Sequence, residues 1–279
     1  MTVSSQSLRN LYKPEIGILY VATGRKYLSE AIKSAQLTRL STSLPIAICT
    51  DLDIELNNTP FDFCFSHPCP KYTYRDKIPP LLDPPFVRTL YLDTDAFVVQ
   101  NSYLFNSENT FSPDLCVVRA PVRIPPGWCD NSVPDFFPEL NTGVLFFKFS
   151  SITQSLFSSW LKLYDDLFDS CNQNWDQASF RSVLWSMINS SSIDHMILPQ
   201  EFNIRTTKPW IVGRGSFAYI IHGRYPDSEH QAFIDYIDGD IDTFRTSDLW
   251  LQRFPTSCIR PLLHILVLIQ VSMTLVQIV

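Results

Sequence analysis

One run of eleven strand-forming residues, with two aspartates in its middle, constrains this chain more than any other feature. Residues 89–99 are apolar, aromatic or β-branched apart from Asp93 and Asp95, which predicts a strand in the core. Carboxylates are rarely buried unless they are paired or bind a cation. If Asp93 ends the strand and Asp95 begins a turn, both side chains face one crevice, where their oxygens suit Mg²⁺ or Mn²⁺. Pairing with basic groups, or capping of the turn, would explain the same two residues.

The Asp-x-Asp pattern recurs elsewhere in the chain and is weak evidence by itself. Asp51 and Asp53 follow an apolar run and form a rival pair, although they lead into a polar stretch typical of an exposed loop. Three aspartates within residues 238–242 repeat the pattern in polar sequence, which is typical of solvated turns. Only the pair within residues 89–99 has apolar sequence on both sides, so it is the candidate metal site.

Composition limits the classes of function. The chain has 279 residues, of which 45% are hydrophobic, so it can build a large core. A net charge of -6 argues against general nucleic-acid binding, but an anionic substrate remains compatible because a bound metal reverses the local charge. The seven cysteines include no Cys-x-x-Cys pair, which indicates reduced thiols and a cytoplasmic protein.

The N-terminal part of the chain predicts a parallel sheet. Residues 16–24 and 45–50 are apolar runs typical of buried strands, and residues 27–40 between them have apolar side chains at helical spacing. A strand, a helix and a strand of this length predict a βαβ unit and an α/β fold. Ligands bind beyond the carboxyl ends of such strands, where Thr23, Gly24 and Asp51 would lie. A simple turn explains Thr23 and Gly24 as well.

Further strands and helices are predicted along the rest of the chain. The strands are residues 61–65, 114–120, 139–148, 196–199 and 217–223, and the helices are residues 152–168 and a segment that opens at residues 175–180. Pro79 and Pro80 are expected to interrupt any helix. Asp176 is either a carboxylate at a helix start or a functional group, and His222 is either structural or a ligand.

The two ends of the chain differ in character. Residues 1–13 are polar, lack the apolar core of a signal peptide and are expected to be flexible, and residues 14–250 are expected to form a single domain. Residues 251–279 form an apolar tail, in which residues 261–279 contain no Asp, Glu, Lys or Arg. As a helix these 19 residues would span about 28 Å, close to the thickness of a bilayer core. An anchor at the cytosolic face of a membrane, a helix docked on the domain and a contact with a partner chain, such as a homodimer, are the alternatives.

Several short segments, in a fixed order, carry a resemblance to a known family. They are Tyr20-Val21-Ala22-Thr23 with Tyr27, Lys77, Leu90-Tyr91-Leu92-Asp93-Thr94-Asp95, Leu140-Asn141-Thr142-Gly143-Val144, Asp176-Gln177, Leu198-Pro199 with Asn203, and Ile221-His222-Gly223. In this order and spacing the chain resembles the nucleotide-diphospho-sugar glycosyltransferases with a GT-A fold, near the glycogenin and galactinol synthase group. The resemblance implies a single Rossmann-like α/β domain with a mixed, mainly parallel central sheet flanked by helices.

The resemblance also implies roles for individual residues. Asp93, Asp95 and His222 would bind Mn²⁺ or Mg²⁺, and Asp176 and Gln177 would act at the sugar near the reacting carbon. The donor, most simply a UDP-sugar, would contact Thr23, Tyr27, Lys77, Thr94, Asn141 and Gly143.

The chain departs from the family pattern at one place. The family often carries Lys-Pro-Trp after the late histidine, whereas here Lys208, Pro209 and Trp210 precede it. The contacts to the phosphates at this end therefore need another basic residue, and Arg224 is a candidate on charge alone.

Three functions fit these residues. The first is a metal-dependent glycosyltransferase, the second is a nucleotide-sugar hydrolase on the same site, and the third is a binding protein that retains only the fold. The intact set of Asp93, Asp95 and His222 argues against the third. The acceptor is a glycan, a lipid or a small molecule. The Pro-rich segment 121–138 either frames it, with aromatic side chains stacked on sugar rings, or packs in the core.

Overall fold

A computed structural model describes residues 13–106, 113–121, 130, 132–212 and 216–239. Within these ranges the chain forms ten strands and five α-helices. The strands are β1 (Ile16–Ala22), β2 (Ile46–Thr50), β3 (Phe63–Ser66), β4 (Arg88–Leu92), β5 (Ala96–Val98), β6 (Leu115–Arg119), β7 (Leu140–Lys148), β8 (His195–Leu198), β9 (Ile204–Arg205) and β10 (Ile220–His222). The helices are α1 (Arg25–Ser41), α2 (Ile78–Leu81), α3 (Ser151–Cys171), α4 (Asp176–Asn189) and α5 (His230–Gly239).

A seven-stranded sheet forms the centre of the domain. Its strand order is β3-β2-β1-β4-β7-β6-β8. Four neighbouring pairs are parallel, and only β7 runs antiparallel to both of its neighbours. The mixed, mainly parallel sheet that the sequence predicts is therefore confirmed. Because β7 is antiparallel, its first residues lie beside the carboxyl end of β4, where the aspartate pair follows.

A second, three-stranded sheet has the order β5-β10-β9. The apolar run 89–99 supplies β4 to the large sheet and β5 to the small one, with a turn between them at residues 93–95. Strand β4 ends where the sequence predicts, with Asp93 directly after the strand and Asp95 in the turn. Strand β10 pairs with β5 so that His222 lies opposite Ala96, which brings a residue from late in the chain beside the turn.

Apolar side chains cover both faces of the large sheet. Successive residues of β1 point to opposite sides, so Ile18 packs in one core cluster and Leu19 in the other. Helix α1 buries Leu28, Ala31 and Ala35, which recur at helical spacing. A strand that is buried on both faces is a continuous apolar run in the sequence, which is why β1 could be predicted.

Helices α2 and α3 have clear local signals. Ser150 and Thr153 form a reciprocal capping box at the start of α3, and Asn172 ends the helix in the left-handed conformation (φ 54°). The expectation that Pro79 and Pro80 interrupt a helix is wrong in detail. Both lie in the first turn of the short helix α2, where a proline costs no hydrogen bond because the first N–H groups have no partner within the helix.

Two expectations fall outside the described residues. The polar N-terminus up to residue 12 and the whole tail 251–279 are not part of the described ranges. Among the helices that the structure describes, none is both long enough and apolar enough to cross a bilayer.

Candidate active site

The turn between β4 and β5 presents the aspartate pair on a fixed backbone. The amide of Asp93 donates to the carbonyl of Gly143 on β7 (2.8 Å), and the carbonyl of Asp93 accepts from Ala96 (2.9 Å). The carbonyl of Thr94 accepts from the Ser34 hydroxyl (2.7 Å), and that of Asp95 accepts from the Gly223 amide (2.8 Å). Neighbouring elements therefore hold the turn from three sides, which fixes the direction of both carboxylates.

Three potential metal ligands meet at this turn. The ligand atoms of Asp93, Asp95 and His222 all lie within 4.8 Å of one another. Nε2 of His222 is 3.3 Å from Oδ1 of Asp95 and 3.7 Å from Oδ2 of Asp93. Neighbouring ligands of a small octahedral cation are roughly 3 Å apart, so these separations need little adjustment. The structure thus brings together the three residues that the sequence predicts as metal ligands.

Each ligand is oriented by a neighbour on its far side. Oδ1 of Asp93 accepts from the Tyr91 hydroxyl (2.7 Å), which leaves Oδ2 facing His222. Nδ1 of His222 lies 2.8 Å from Oδ1 of Asn203, which orients the imidazole. With its proton on Nδ1, the ring would offer the Nε2 lone pair to a cation. Burial by itself would raise the pKa of Asp95, but His222, Arg224 and Arg205 together hold it below its usual range.

Gly143 provides the space behind the cluster. A Cβ atom at this position would lie 2.3 Å from Cε1 of His222 and 2.5 Å from Oδ2 of Asp93. Any side chain here would displace two of the three ligands. The space at Gly143, the two carboxylates and the imidazole together fit a divalent cation such as Mn²⁺ or Mg²⁺.

Lys77 connects the candidate metal ligands to Asp176. Its Nζ lies 2.9 Å from Oδ1 of Asp93 and 3.1 Å from Oδ2 of Asp176. Burial by itself would lower the pKa of Lys77, but the two carboxylates outweigh it and raise the pKa well above that of an ordinary lysine. The side chain is therefore a permanent, buried cation at neutral pH.

Asp176 begins helix α4 and is almost completely buried. Its side chain accepts from the Thr142 hydroxyl on β7, and its carbonyl accepts from the indole N–H of Trp160 (2.9 Å). Trp160 is fully buried against Phe180, so this hydrogen bond ties the start of α4 to the core. Asp176 begins a helix, as the sequence predicts, and it also lines the cleft beside Gln177. Its role at a sugar stays a prediction.

The predicted donor residues have different environments. Thr23 lies at the end of β1, where its hydroxyl donates to Asp76 (2.8 Å), while Tyr27 on the first turn of α1 is 38% exposed. The Thr94 hydroxyl donates to Glu30 (2.5 Å), and Oδ1 of Asn141 accepts from the Gly143 amide (3.1 Å). Thr23, Tyr27, Lys77, Thr94 and Asn141 line the cleft, whereas Gly143 lies behind the ligand cluster.

The rival pair, Asp51 and Asp53, serves another purpose. Oδ1 of Asp51 accepts from the Gly24 amide (2.7 Å) and Oδ2 accepts from the Tyr72 hydroxyl (3.0 Å), whereas Asp53 is exposed. Within the described part of the chain, the cluster of Asp93, Asp95 and His222 alone brings three such ligand atoms together. Asp51 therefore holds the loop between β1 and α1 against Tyr72.

Two arginines near His222 can supply the phosphate contacts for which the sequence has no Lys-Pro-Trp after this histidine. Nη1 of Arg205 is 2.9 Å from Nε2 and 3.0 Å from Nδ1 of His222, and the side chain lines the cleft. Arg224 also lines it, bonded to Glu30 and 4.0 Å from Asp95. Lys208 is not among the lining residues. Arg224 was a candidate from its charge alone, whereas Arg205 was not predicted. In the sequence, Arg205 is marked only by its position two residues after Asn203.

The candidate metal ligands, Asp176 and most of the predicted donor residues line one cleft of about 540 Å³. Its lining includes four basic side chains and four carboxylates, namely Lys26, Lys77, Arg205 and Arg224 with Asp76, Asp93, Asp95 and Asp176. A divalent cation bound to the cluster would make the cleft net positive, which suits a ligand with a diphosphate.

The aromatic residues of the Pro-rich segment have a structural role where they are described. Phe137 is buried, and the rings of both Phe136 and Phe137 contact Trp185 (5.9 and 5.1 Å between centroids). Neither lines the cleft. Phe137 therefore follows the core-packing alternative, whereas Phe136 is 75% exposed and contacts Trp185 outside the cleft. Trp128 lies outside the described residues.

Comparisons with known proteins agree with this architecture. No protein-family model matches the sequence, and no curated protein matches it. Among solved structures, the glycosyltransferase GlyE of Streptococcus pneumoniae TIGR4 matches with a TM-score of 0.55 and 14% identity over 86% of this chain. This chain spans 64% of the length of GlyE.

The galactosyltransferase LgtC, in complex with donor and acceptor sugar analogs, matches with a TM-score of 0.55 and 12% identity over 82% of this chain and 97% of its own. An active-site mutant of LgtC matches with a TM-score of 0.53 and 12% identity over 80% and 95% of the two chains. At such identities the likeness is one of fold, and the closer resemblance to the glycogenin and galactinol synthase group stays a prediction. The chain has the GT-A fold of nucleotide-sugar glycosyltransferases.

Proposed function

We propose that this protein is a metal-dependent glycosyltransferase that moves a sugar from a UDP-sugar to an acceptor hydroxyl. The observation that carries the proposal is the joined set of Asp93, Asp95 and His222 with Lys77 and Asp176 in one cleft. In the reaction, the bond between the anomeric carbon and the diphosphate breaks and a bond to the acceptor oxygen forms. The electron pair of the broken bond leaves with UDP, and the proton of the acceptor hydroxyl is released to solvent.

The residues of the cleft fit the two charges that develop in this reaction. Asp93, Asp95 and His222 would hold a divalent cation, which would stabilise negative charge on the departing diphosphate. Arg205 and Arg224 line the same part of the cleft and offer guanidinium groups to phosphate oxygens.

Lys77 and Asp176 serve the sugar side. The anomeric carbon becomes positively charged as the bond breaks, so a nearby carboxylate stabilises it. Asp176 can take this role because Lys77, Thr142 and the core contact of Trp160 fix its position. Lys77 offers an ammonium group to sugar hydroxyls or to the diphosphate. Thr23 and Tyr27 would hold the nucleotide at the carboxyl end of β1.

A thermal-shift panel of nucleotide sugars, with and without Mn²⁺, tests the proposal. A ligand that binds only the folded state raises the melting temperature, so the donor should give a shift that requires the metal. The donor identified in this way is then incubated with candidate acceptors, and the products are separated. A sugar–acceptor product supports transfer. Free sugar as the only product over a broad acceptor panel, or a donor shift that persists in EDTA, contradicts it.

A further inference from the structure

Exposed aromatic side chains are concentrated around the cleft. In the described part of the chain, nine large apolar or aromatic side chains are exposed, and five of them line this one cleft: Tyr27, Tyr72, Tyr74, Phe168 and Trp175. Scattered exposed aromatic residues are ordinary, but a group of them in a concave site indicates ligand contact. Neither metal binding nor the role proposed for Asp176 requires these exposed aromatic side chains.

Tyr74 and Trp175 form a stacked pair within this group. Their ring planes are 22° apart and their centroids are 5.9 Å apart, so the two rings are stacked with an offset. Tyr74 is 50% exposed and Trp175 is 48% exposed. Phe168, near the end of α3, also lines the cleft, and Trp175 lies between α3 and α4.

The backbone under the pair is fixed although the rings are exposed. The Tyr164 hydroxyl donates to the carbonyl of Asn174 (3.1 Å), and the amide of Trp175 donates to the Gln173 side chain (3.0 Å). Next to Tyr74, Arg75 forms a two-pronged ion pair with Asp165 on α3 (2.6 and 2.9 Å). A rigid aromatic surface loses little conformational entropy when it binds a ligand.

The pair borders the groups that would hold the transferred sugar. Trp175 directly precedes Asp176, and Nζ of Lys77 lies 5.9 Å from the centroid of the Tyr74 ring. Asn174 and Gln177 line the cleft beside them and offer amide groups to hydroxyls. An aromatic surface next to amides suits a ligand with one C–H face and hydroxyls at its edge.

We propose that Tyr74 and Trp175 form the acceptor subsite and that the acceptor is a carbohydrate whose pyranose ring stacks on this pair. The inference rests on the proposed function and assigns its second substrate. The C–H groups of one sugar face carry partial positive charge and lie on the negative face of the rings, while the hydroxyls at the edge bond to Asn174 and Gln177. A lipid tail would leave these amides and the charged lining unsatisfied, which disfavours a lipid acceptor at this position.

Saturation-transfer NMR with the full-length protein tests this assignment. The probes are methyl glycosides of common hexopyranoses with lactose, maltose and cellobiose, each added with UDP and Mn²⁺. At least one probe should receive saturation at its ring C–H protons. Its dissociation constant should rise about tenfold in Trp175→Ala and in Tyr74→Ala, in line with the loss of an aromatic contact. Trp175→Phe, which keeps an aromatic face, should recover part of the affinity.

Tyr103→Ala is the matched control, because Tyr103 is 68% exposed, also lies in a 3-10 turn and does not line the cleft. Its affinity for the probes should equal that of the wild type. In all variants the affinity for UDP with Mn²⁺, measured by calorimetry, should stay unchanged.

Three results would overturn the assignment while the proposed function stands. The first is that no pyranoside receives saturation although UDP and Mn²⁺ bind. The second is an unchanged sugar affinity in both alanine variants. The third is a loss of UDP affinity in Trp175→Ala, which would assign the pair to the nucleotide base. Failure of the wild type to bind UDP with Mn²⁺ would instead contradict the proposed function, and this inference with it.

Discussion

The ammonium nitrogen of Lys77 lies 2.9 Å from Oδ1 of Asp93, so a buried cation already compensates one of the candidate metal ligands. The same nitrogen is 3.1 Å from Asp176, which places one positive charge between a candidate metal ligand and the carboxylate proposed to act at the sugar. Tyr91 donates a further hydrogen bond to the same oxygen of Asp93. The positive charge of Lys77 therefore faces both carboxylates before any ligand enters.

Removing this cation should destabilise the protein. Lys77→Met leaves Asp93 and Asp176 without their shared partner, and an uncompensated buried charge typically costs about 3–5 kcal/mol. Denaturant unfolding measures the change in the free energy of unfolding. The control is Lys33→Met, which breaks the solvent-exposed pair of Lys33 with Asp227 and should leave stability unchanged. Equal effects of the two variants would contradict the bridging role of Lys77.

The metal requirement depends on Asp95. Asp95→Asn keeps the shape of the side chain but removes its negative charge, so Mn²⁺ affinity and metal-dependent donor binding should be lost while the melting temperature stays near that of the wild type. Calorimetric titration with Mn²⁺ measures this. Asp53→Asn, in the exposed rival pair, should bind Mn²⁺ normally. Wild-type activity in excess EDTA would argue against any metal role.

Gly143→Ala tests whether the candidate ligands need the space left by the missing side chain of Gly143. The new methyl group would come within 2.3 Å of His222 and 2.5 Å of Asp93, so both side chains must move. Mn²⁺ affinity should fall by about 10- to 100-fold, as for other changes that misplace metal ligands. Gly17→Ala is the matched control because its methyl group would meet the Phe86 ring at 2.5 Å, far from the metal cluster in the core.

Gly17→Ala should lower the free energy of unfolding by about 1–3 kcal/mol through overpacking, and the folded protein should bind Mn²⁺ normally. A Gly143→Ala protein with wild-type Mn²⁺ affinity would show that the three residues are not the ligand set.

Asp176 is expected to act at the sugar and not on the metal. Asp176→Asn should lower turnover by roughly a hundredfold or more, because a transition-state charge is lost, whereas Mn²⁺-dependent UDP binding should survive. Asp169→Asn, an exposed carboxylate on α3, serves as the control with normal turnover. Joint loss of turnover and of UDP and metal binding in Asp176→Asn would refute the assigned role.

The apolar tail gives a prediction that rests on sequence alone. If residues 261–279 anchor the protein, full-length protein should sediment with membranes, and the chain truncated after residue 260 should be soluble and active. Fractionation and an activity assay measure both. A freely soluble full-length protein, or a truncation that unfolds, would favour a helix docked on the domain.

Local patterns in the sequence were enough to predict the strands of the central sheet and the position of the turn that carries Asp93 and Asp95. Buried parallel strands are continuous apolar runs, so β1, β2 and β4 can be recognised without a structure. Asp93 and Asp95 stand out because charge inside such a run needs a partner. The order of the short segments added His222, since the resemblance supplied the long-range information that periodicity lacks.

Tertiary structure alone decided how distant residues combine. The three-stranded sheet escaped prediction because β9 has only two residues and the apolar run 217–223 does not reveal its partner strands. The pairing of β9 with β10 brings Asn203 and Arg205 against His222. The bridge by Lys77 and the stacking of Tyr74 on Trp175 join residues far apart in the chain. A sequence records which side chains are present and their local spacing, whereas contacts across the cleft exist only after the core has packed the elements into one arrangement.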